Sequence, residues 1–316
     1  MTRIAGLGDC HIDHKGPSSR LDDYSQTQFE KFCWCVDKAI DEFCRVLCLP
    51  GDVFNTPRVS LETVQRYIRY IKDKQQKAYG VLDIVAVYGQ HDLYYHSMTS
   101  VPKTPLNIME AAGVLTIANE VPISFSKGDK RILVYGASWE QAIPIPEQNK
   151  DVTNILLVHT MMVGETKVWE GQENFSAGRV FLREYPYDAV FCGDNHRQFH
   201  YTTPSGKALV NAGSLMRSRV DQVDHIPALY VYDCDTRTLD RFPIPTSPYW
   251  EVIDMEKNEV VKERDDRIEA FVASLTGEYD REEVNFRKNL ENFLNTNDIP
   301  ESVIEIINKC LENPHV

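Results

Sequence analysis

The residues equipped for chemistry fall in five short runs: Asp9-Cys10-His11, Gly51-Asp52, Gly89-Gln90-His91-Asp92, the single His159, and Gly193-Asp194-Asn195-His196. Residues 4–8, 46–49, 83–88, 155–159 and 189–192 are apolar and β-branched and read as strands, so each run sits at a strand's carboxyl end. In α/β folds the loops at that end of the strands converge, and ligands distant in sequence can meet there. Carboxylates mixed with imidazoles suit manganese, iron or zinc, and two such ions can clamp a phosphoryl group. Glycines directly before Asp52, Gln90 and Asp194 permit the tight turn that presents the next side chain. A Gly-Asp turn or a histidine at a strand end signals little alone. Five in order are poorly explained by chance.

The elements that must position these runs alternate through the first half. Residues 25–45 carry Phe29, Phe32, Val36, Ala39, Ile40 and Phe43 at helical spacing. Ser60 can cap a second helix reaching about Lys77, with Glu62 and Thr63 in its first turn. Residues 104–112 read as a short third helix. From Val114 the pattern is mainly strands, at 121–125, 131–135, 208–211, 228–232 and 238–242, with one or two helical turns at 178–184. Two facing sheets flanked by helices are expected. Pro243, Pro245 and Pro248 mark a boundary, and residues 255–316 are helical in pattern and rich in acids. This divides the chain into a main domain, 1–248, and a small helical appendage, 249–316.

The 316 residues, 42% hydrophobic and 26% charged, match an ordinary globular protein. No apolar run approaches the roughly 18 residues of a membrane helix. Acidic Asp9 follows a short strand, so no signal peptide is expected and an intracellular, cytoplasmic protein is. The eight cysteines include no CxxC pair. Cys33, Cys35 and Cys44 read as helical and Cys48 and Cys192 as strand residues, the pattern of small buried hydrophobes in a reducing compartment. The net charge of −13 disfavours simple electrostatic binding of nucleic acid. A carboxylate-rich metal site contributes to that charge, and a basic strip of Arg179, Arg183, Arg197, Arg217 and Arg219 could coexist with it. Scattered, solvated arginines are the competing reading.

The order DxH, GD, G(N)HD, H, GHxH resembles the signature of calcineurin-like metallophosphoesterases over residues 1 to about 245. Within that superfamily the text GDCHIDHKGP, LPGDVFNTPRVS, YGQHDLYYH and VNAGSLMRSR is similar to the SbcD-type DNA repair nucleases, especially phage-encoded relatives. The last stretch resembles their NPGS loop, with Ala212 in place of proline. The resemblance implies an α/β fold, a four-layer α/β/β/α sandwich with a small C-terminal helical appendage. It also implies that Asp9, His11 and His196 hold one metal ion and that Asp52 bridges two. His159, Gln90 and Asp194 would complete the second site, and His91, oriented by Asp92, would stand beside the scissile phosphate. Gln90 stands where asparagine is expected and Asp194 where histidine is, which makes the second site richer in oxygen and favours manganese or magnesium over zinc. A second site that fills only when substrate supplies phosphate oxygens is the alternative.

The expected activity is metal-assisted hydrolysis of DNA phosphodiesters, as exonuclease, endonuclease or both, with an SbcC-like coiled-coil ATPase as partner and a homodimer as the relatives' assembly. A phosphatase or small phosphodiesterase of the same fold is the competing enzyme, and a non-catalytic DNA- or partner-binding subunit the competing class. Asn211, Ser214 and Arg217 are candidates to touch substrate, with Asn211 and Ser214 otherwise simply building the turn around Gly213, and Tyr94 and Tyr95 could stack on a base or pack beside their turn. His14 and His96 could reach substrate or be plain loop residues. Trp139 and Trp169 read as structural.

Overall fold

Neighbouring residues of the central strands point to opposite faces, and both faces are covered. Ile4 and Ala5, Val46 and Leu47, and Cys48 and Leu49 are all fully buried. This is why those strands are apolar without alternation. The computed structural model describes residues 2–77, 82–127, 130–164, 176–217 and 222–254. The helical tail, Arg219 and Trp169 lie outside the described residues. The chain divides into two compact units, Met1–Asn258 and Glu259–Val316, and the described residues all belong to the first.

The first sheet contains β1 (Arg3–Gly6), β2 (Cys44–Leu49), β3 (Asp83–Ala86), β4 (Thr116–Ile117), β13 (Ala228–Asp233) and β14 (Thr238–Pro243), in the order β14-β13-β1-β2-β3-β4. Strands β1 to β4 are parallel, while β13 and β14 add antiparallel at one edge. The second sheet contains β5 (Ile123–Lys127), β6 (Lys130–Ala137), β7 (Val152–His159), β10 (Ala189–Gly193), β11 (Phe199–Thr202) and β12 (Ala208–Asn211), in the order β11-β12-β10-β7-β6-β5. A short parallel pair, β8 (Met162–Val163) and β9 (Ser176–Ala177), stands apart.

Helices α1 (Tyr24–Asp41), α2 (Leu61–Lys77) and α3 (Pro105–Ala111) cover the outer face of the first sheet, where Phe32, Val36, Val64, Tyr67 and Leu106 pack on Ala5, Leu47 and Ile84. Between the sheets, Ile4, Val46 and Val85 meet Val134, Ile155, Phe191 and Val210. Helix α4 (Gly178–Glu184) covers the far face of the second sheet, with Phe181 and Leu182 among Leu156, Val190 and Leu209. The result is the expected α/β/β/α sandwich. Side chains close the starts of α1, α2 and α3: Asp23 accepts from Gln26 N (3.0 Å), Ser60 from Thr63 N (3.1 Å) and Thr104 from Asn107 N (3.2 Å).

Three details differ from the sequence reading. Helix α1 ends at Asp41, because Phe43 takes a left-handed backbone (φ 55°) with its ring 79% exposed, and Cys44 opens β2 instead of lying in the helix. Strand β11 leaves no mark in the sequence because its side chains alternate between half-buried and exposed with no apolar run. Residues 249–254 pack with the first unit: α5 (Tyr249–Val252) leads to a bridge between Ile253 and Arg20, and Leu21 N donates to Val252 O (3.0 Å). The seven cysteines among the described residues are free thiols. No described helix is long and apolar enough to cross a membrane.

Candidate metal centre

The five runs meet where β1, β2, β3, β7 and β10 end. His11 Nε2 lies 2.9 Å from His196 Nε2 and 3.8 Å from Asp52 Oδ2, and His196 Nε2 lies 3.6 Å from Asp9 Oδ2. On the other side of Asp52, His159 Nε2 is 3.5 Å from its Oδ2 and 2.7 Å from Gln90 Oε1. Gln90 Nε2 donates to Asp194 Oδ1 at 2.8 Å. All seven candidate ligands therefore belong to one connected cluster. Asp9, His11 and His196 bring ligand atoms within 4.8 Å of one another, as do His11, Asp52 and His91.

The chain pays for this convergence in backbone strain. His11 (φ 46°), Asp52 (φ 46°) and Asp194 (φ 84°) all adopt the left-handed region that side chains bearing a Cβ avoid. Close approach is as tight: a Cβ on Gly89 would stand 2.1 Å from Asp52 Oδ1, and one on Gly193 2.5 Å from Asp9 Oδ1. Only glycine lets β3 and β10 bring their loops this near the carboxylates.

Burial sets the electrostatics. It raises Asp9 well above the usual carboxylate range, with neighbouring Asp52 and Asp194 adding to the rise and His159 opposing it. Burial also raises Asp194. Burial opposes ionisation of Asp52 too, but the His159 charge and hydrogen bond outweigh it and hold Asp52 low. His159 loses basicity to burial and regains more from Asp52, Asp9 and Asp194, ending near 10. Desolvation lowers His11 to about 3 despite Asp52, which keeps its ring neutral. A neutral imidazole facing buried carboxylates is the form a divalent cation binds.

The donor set fits such an ion. Ligand bonds near 2.1 Å place neighbouring ligand atoms about 2.9–3.4 Å apart in octahedral or tetrahedral geometry. The 2.9, 3.5, 3.6 and 3.8 Å separations between these side chains lie at or just beyond that range. His159 Nδ1 is fixed by the Pro50 carbonyl (2.6 Å), which leaves Nε2 for the centre. His11 Nδ1 is buried without a hydrogen-bond partner.

His91 borders the cluster, its ring edge-on to His11 with 5.0 Å between centroids. Its main-chain N–H donates to Asp52 Oδ1 (2.9 Å). Here the structure departs from expectation, because Asp92 does not touch the His91 ring. Fully buried Asp92 accepts from the backbone N–H groups of Gly89 (2.9 Å), Phe54 (2.8 Å) and Val53 (3.4 Å), tying the β2 and β3 loops together. The ring is oriented by the Asn55 carbonyl, 3.1 Å from Nδ1.

The three expected substrate contacts also turn inward. Asn211 donates to the carbonyls of Asn195 (2.8 Å) and Arg197 (3.3 Å) and accepts from Gly213 N, clamping the β10 loop. Ser214 donates to Met216 O and accepts from Gln222. Arg217, 6% exposed, bonds to Ser247 O and lies over Tyr249. Of the two readings of Asn211 and Ser214, the hydrogen bonds fit the one in which they build the turn around Gly213. Of the proposed basic strip, Arg197 lines the cleft, while Arg179 covers Tyr201 on the α4 side.

Several residues of the site carry little signal in the sequence. Gln28, fully buried on α1, donates to the carbonyls of Cys10 (2.9 Å) and His11 (2.8 Å) and accepts from Asp13 N (3.0 Å). A polar residue on the core face of an amphipathic helix is the one available clue. Gln198, His225, Ile226 and Arg241 line a cavity of about 580 Å³ that also reaches Asp52, Gln90, His91 and His196. A second cavity of about 370 Å³, lined by Lys15, Tyr24 and Asn55, likewise reaches His91 and His196.

A solved structure, that of a dimetal phosphatase from Danio rerio, shares 11% identity with the chain, covering 77% of it and 99% of that protein, with a TM-score of 0.46. Comparison with curated proteins finds no match. The family model described as calcineurin-like phosphoesterase matches residues 2–198, which include every candidate ligand. With that match over most of the sandwich, the chain belongs to the calcineurin-like phosphoesterases, hydrolases of phosphoester bonds.

Proposed function

We propose that this hydrolase cuts phosphodiester bonds in DNA, in the manner of the SbcD-type nucleases, with two divalent ions, manganese or else magnesium. The observation that carries the reading is the pair of cavities meeting at His91 and His196. A phosphomonoester has one organic substituent to place; a phosphodiester has two, one for each cavity. Asp9, His11 and His196 would hold one ion, His159, Gln90 and Asp194 the other, with Asp52 between them. Bound ions of this kind supply Lewis acidity to the phosphoryl oxygens and lower the pKa of water.

The chain's own residues supply orientation and a proton. The Asn55 carbonyl requires a proton on His91 Nδ1, which leaves Nε2 for the reaction. In the imidazolium form, Nε2–H donates to the leaving alkoxide as the P–O bond breaks. Asp52 accepts the His91 main-chain N–H, so the position of this acid follows that of the central carboxylate. The test compares manganese-dependent hydrolysis of a single-stranded oligonucleotide with that of p-nitrophenyl phosphate. Preference for the oligonucleotide is expected, and faster release from the monoester overturns the reading.

Phosphatase activity on phosphoproteins or nucleotides is the second reading, favoured by the net charge of −13, which repels a long polyanion. The DNA reading also brings an SbcC-like coiled-coil ATPase as partner, a homodimer and a cytoplasmic setting. Co-purification of the full chain with such an ATPase, and its mass in solution, check the first two.

A further inference from the structure

In the larger cavity a cation is held in place by uncharged groups alone. Arg241, on edge strand β14, donates from Nε and Nη2 to Gln198 Oε1 (3.2 and 2.9 Å) and from Nη2 to the Ile226 carbonyl (2.9 Å). Gln198 is itself pinned, because its Nε2 donates to the carbonyls of Ala212 (3.1 Å) and Ile226 (3.4 Å), which turns its oxygen toward the guanidinium. The Tyr230 hydroxyl is a further neighbour. Among the described residues Arg241 makes no ion pair, although Asp224 lines the same cavity.

A surface arginine ordinarily keeps rotamer freedom, part of which is lost when it grips a ligand. Here that freedom is already restricted, and the charge is left for something else. The anchor is also tied to the metal centre: Gln198 grips the Ala212 carbonyl, and Asp9 N donates to the next carbonyl, that of Gly213 (3.0 Å). His225, on the same wall, is held toward its neutral form by burial, against the pull of its hydrogen bond to the Ser214 carbonyl, with Lys31, Arg217 and Arg241 adding to the lowering.

We infer that Arg241 binds the phosphate neighbouring the scissile one in a polynucleotide strand, and so sets the preference of this cleft for a strand over a small phosphoester; the inference rests on the proposed DNA hydrolysis. A guanidinium fixed on one side and open on the other suits a phosphate oxygen, and a cavity of about 580 Å³ lies within the roughly 300–1,000 Å³ range of ligand clefts. A small ester has no second phosphate to offer.

The test uses the manganese-loaded full chain with a single-stranded oligonucleotide and with bis(p-nitrophenyl) phosphate, over a series of salt concentrations. Arg241→Gln should raise KM for the oligonucleotide about tenfold, the value of one charge-assisted hydrogen bond, and change kcat less than twofold. The salt dependence of log KM should flatten by about 0.7, the contribution of one single-strand phosphate contact. Arg241→Lys should keep that salt dependence, and Lys77→Gln at the exposed end of α2 should change nothing. An unaltered salt slope in Arg241→Gln, or equal losses on both substrates, overturns the inference while leaving DNA hydrolysis standing. If the wild-type chain cleaves the small diester but not DNA, the DNA reading fails and takes this inference with it.

Discussion

On the His11 side of Asp52 the side chains converge on one another while the main chain and its braces do the holding; on the His159 side the side chains hold each other. Gln28 fixes the carbonyls of Cys10 and His11, and Asp92 fixes the β2 and β3 loops, so the main chain that carries His11 and Asp52 is braced from outside the cluster. His159, Gln90 and Asp194 instead form a hydrogen-bonded chain of 2.7 and 2.8 Å contacts. An ion entering the first half parts the encounter of His11 with His196. An ion entering the second must replace bonds already made. The two departures from the family pattern, Gln90 and Asp194, are the residues that make those bonds. Unequal affinity for two ions is the expected consequence.

The largest effect expected from breaking this arrangement is that of Asp52→Asn, which removes the charge shared by both halves. Hydrolysis should fall about 10³-fold, the scale of losing a central electrostatic stabiliser, and elemental analysis should show both equivalents of manganese weakened. Loss of one ion only would mean that Asp52 belongs to one half. Next comes His91→Ala. Turnover should drop about 10²-fold or more with metal content unchanged, and a parallel loss of metal would make His91 a ligand instead of an acid.

Gln90→Ala separates the halves most directly. The weaker equivalent of manganese should lose about tenfold in affinity and the tighter one should not move, as read by equilibrium dialysis. The smallest effect is expected at the brace. Gln28→Leu leaves the Cys10 and His11 carbonyls and Asp13 N without their buried partner, at a cost of about 1–3 kcal/mol. A lower Tm with only a modest fall in kcat is expected. Unchanged stability would show that water takes over the bonds.

Strand ends carrying ligands were legible because a buried strand is an apolar run and the run stops where Asp, His or Gly begins. That logic located Asp9, Asp52, His159 and His196 from chain order alone. It failed where the decisive partner lies far away in sequence. Nothing near Asp92 says that its carboxylate will serve Gly89 and Phe54 backbone instead of the His91 ring, and nothing near Gln198 announces Arg241. Chain order also left Asn211 and Ser214 open between lining the cleft and building the turn around Gly213, because the carbonyls that Asn211 grips belong to the β10 loop. Phe43 misled for another reason: it continues the apolar spacing of α1, yet sits after the last helical turn with its ring in water.

Left-handed backbone at His11, Asp52 and Asp194 has one more consequence. Each costs on the order of 1 kcal/mol that glycine would recover, so replacing the ligand by glycine should produce a tougher protein and a dead one. Heat tolerance and activity are therefore opposed at these positions. A library screened for survival at high temperature, with no demand for turnover, would empty the centre of its own accord.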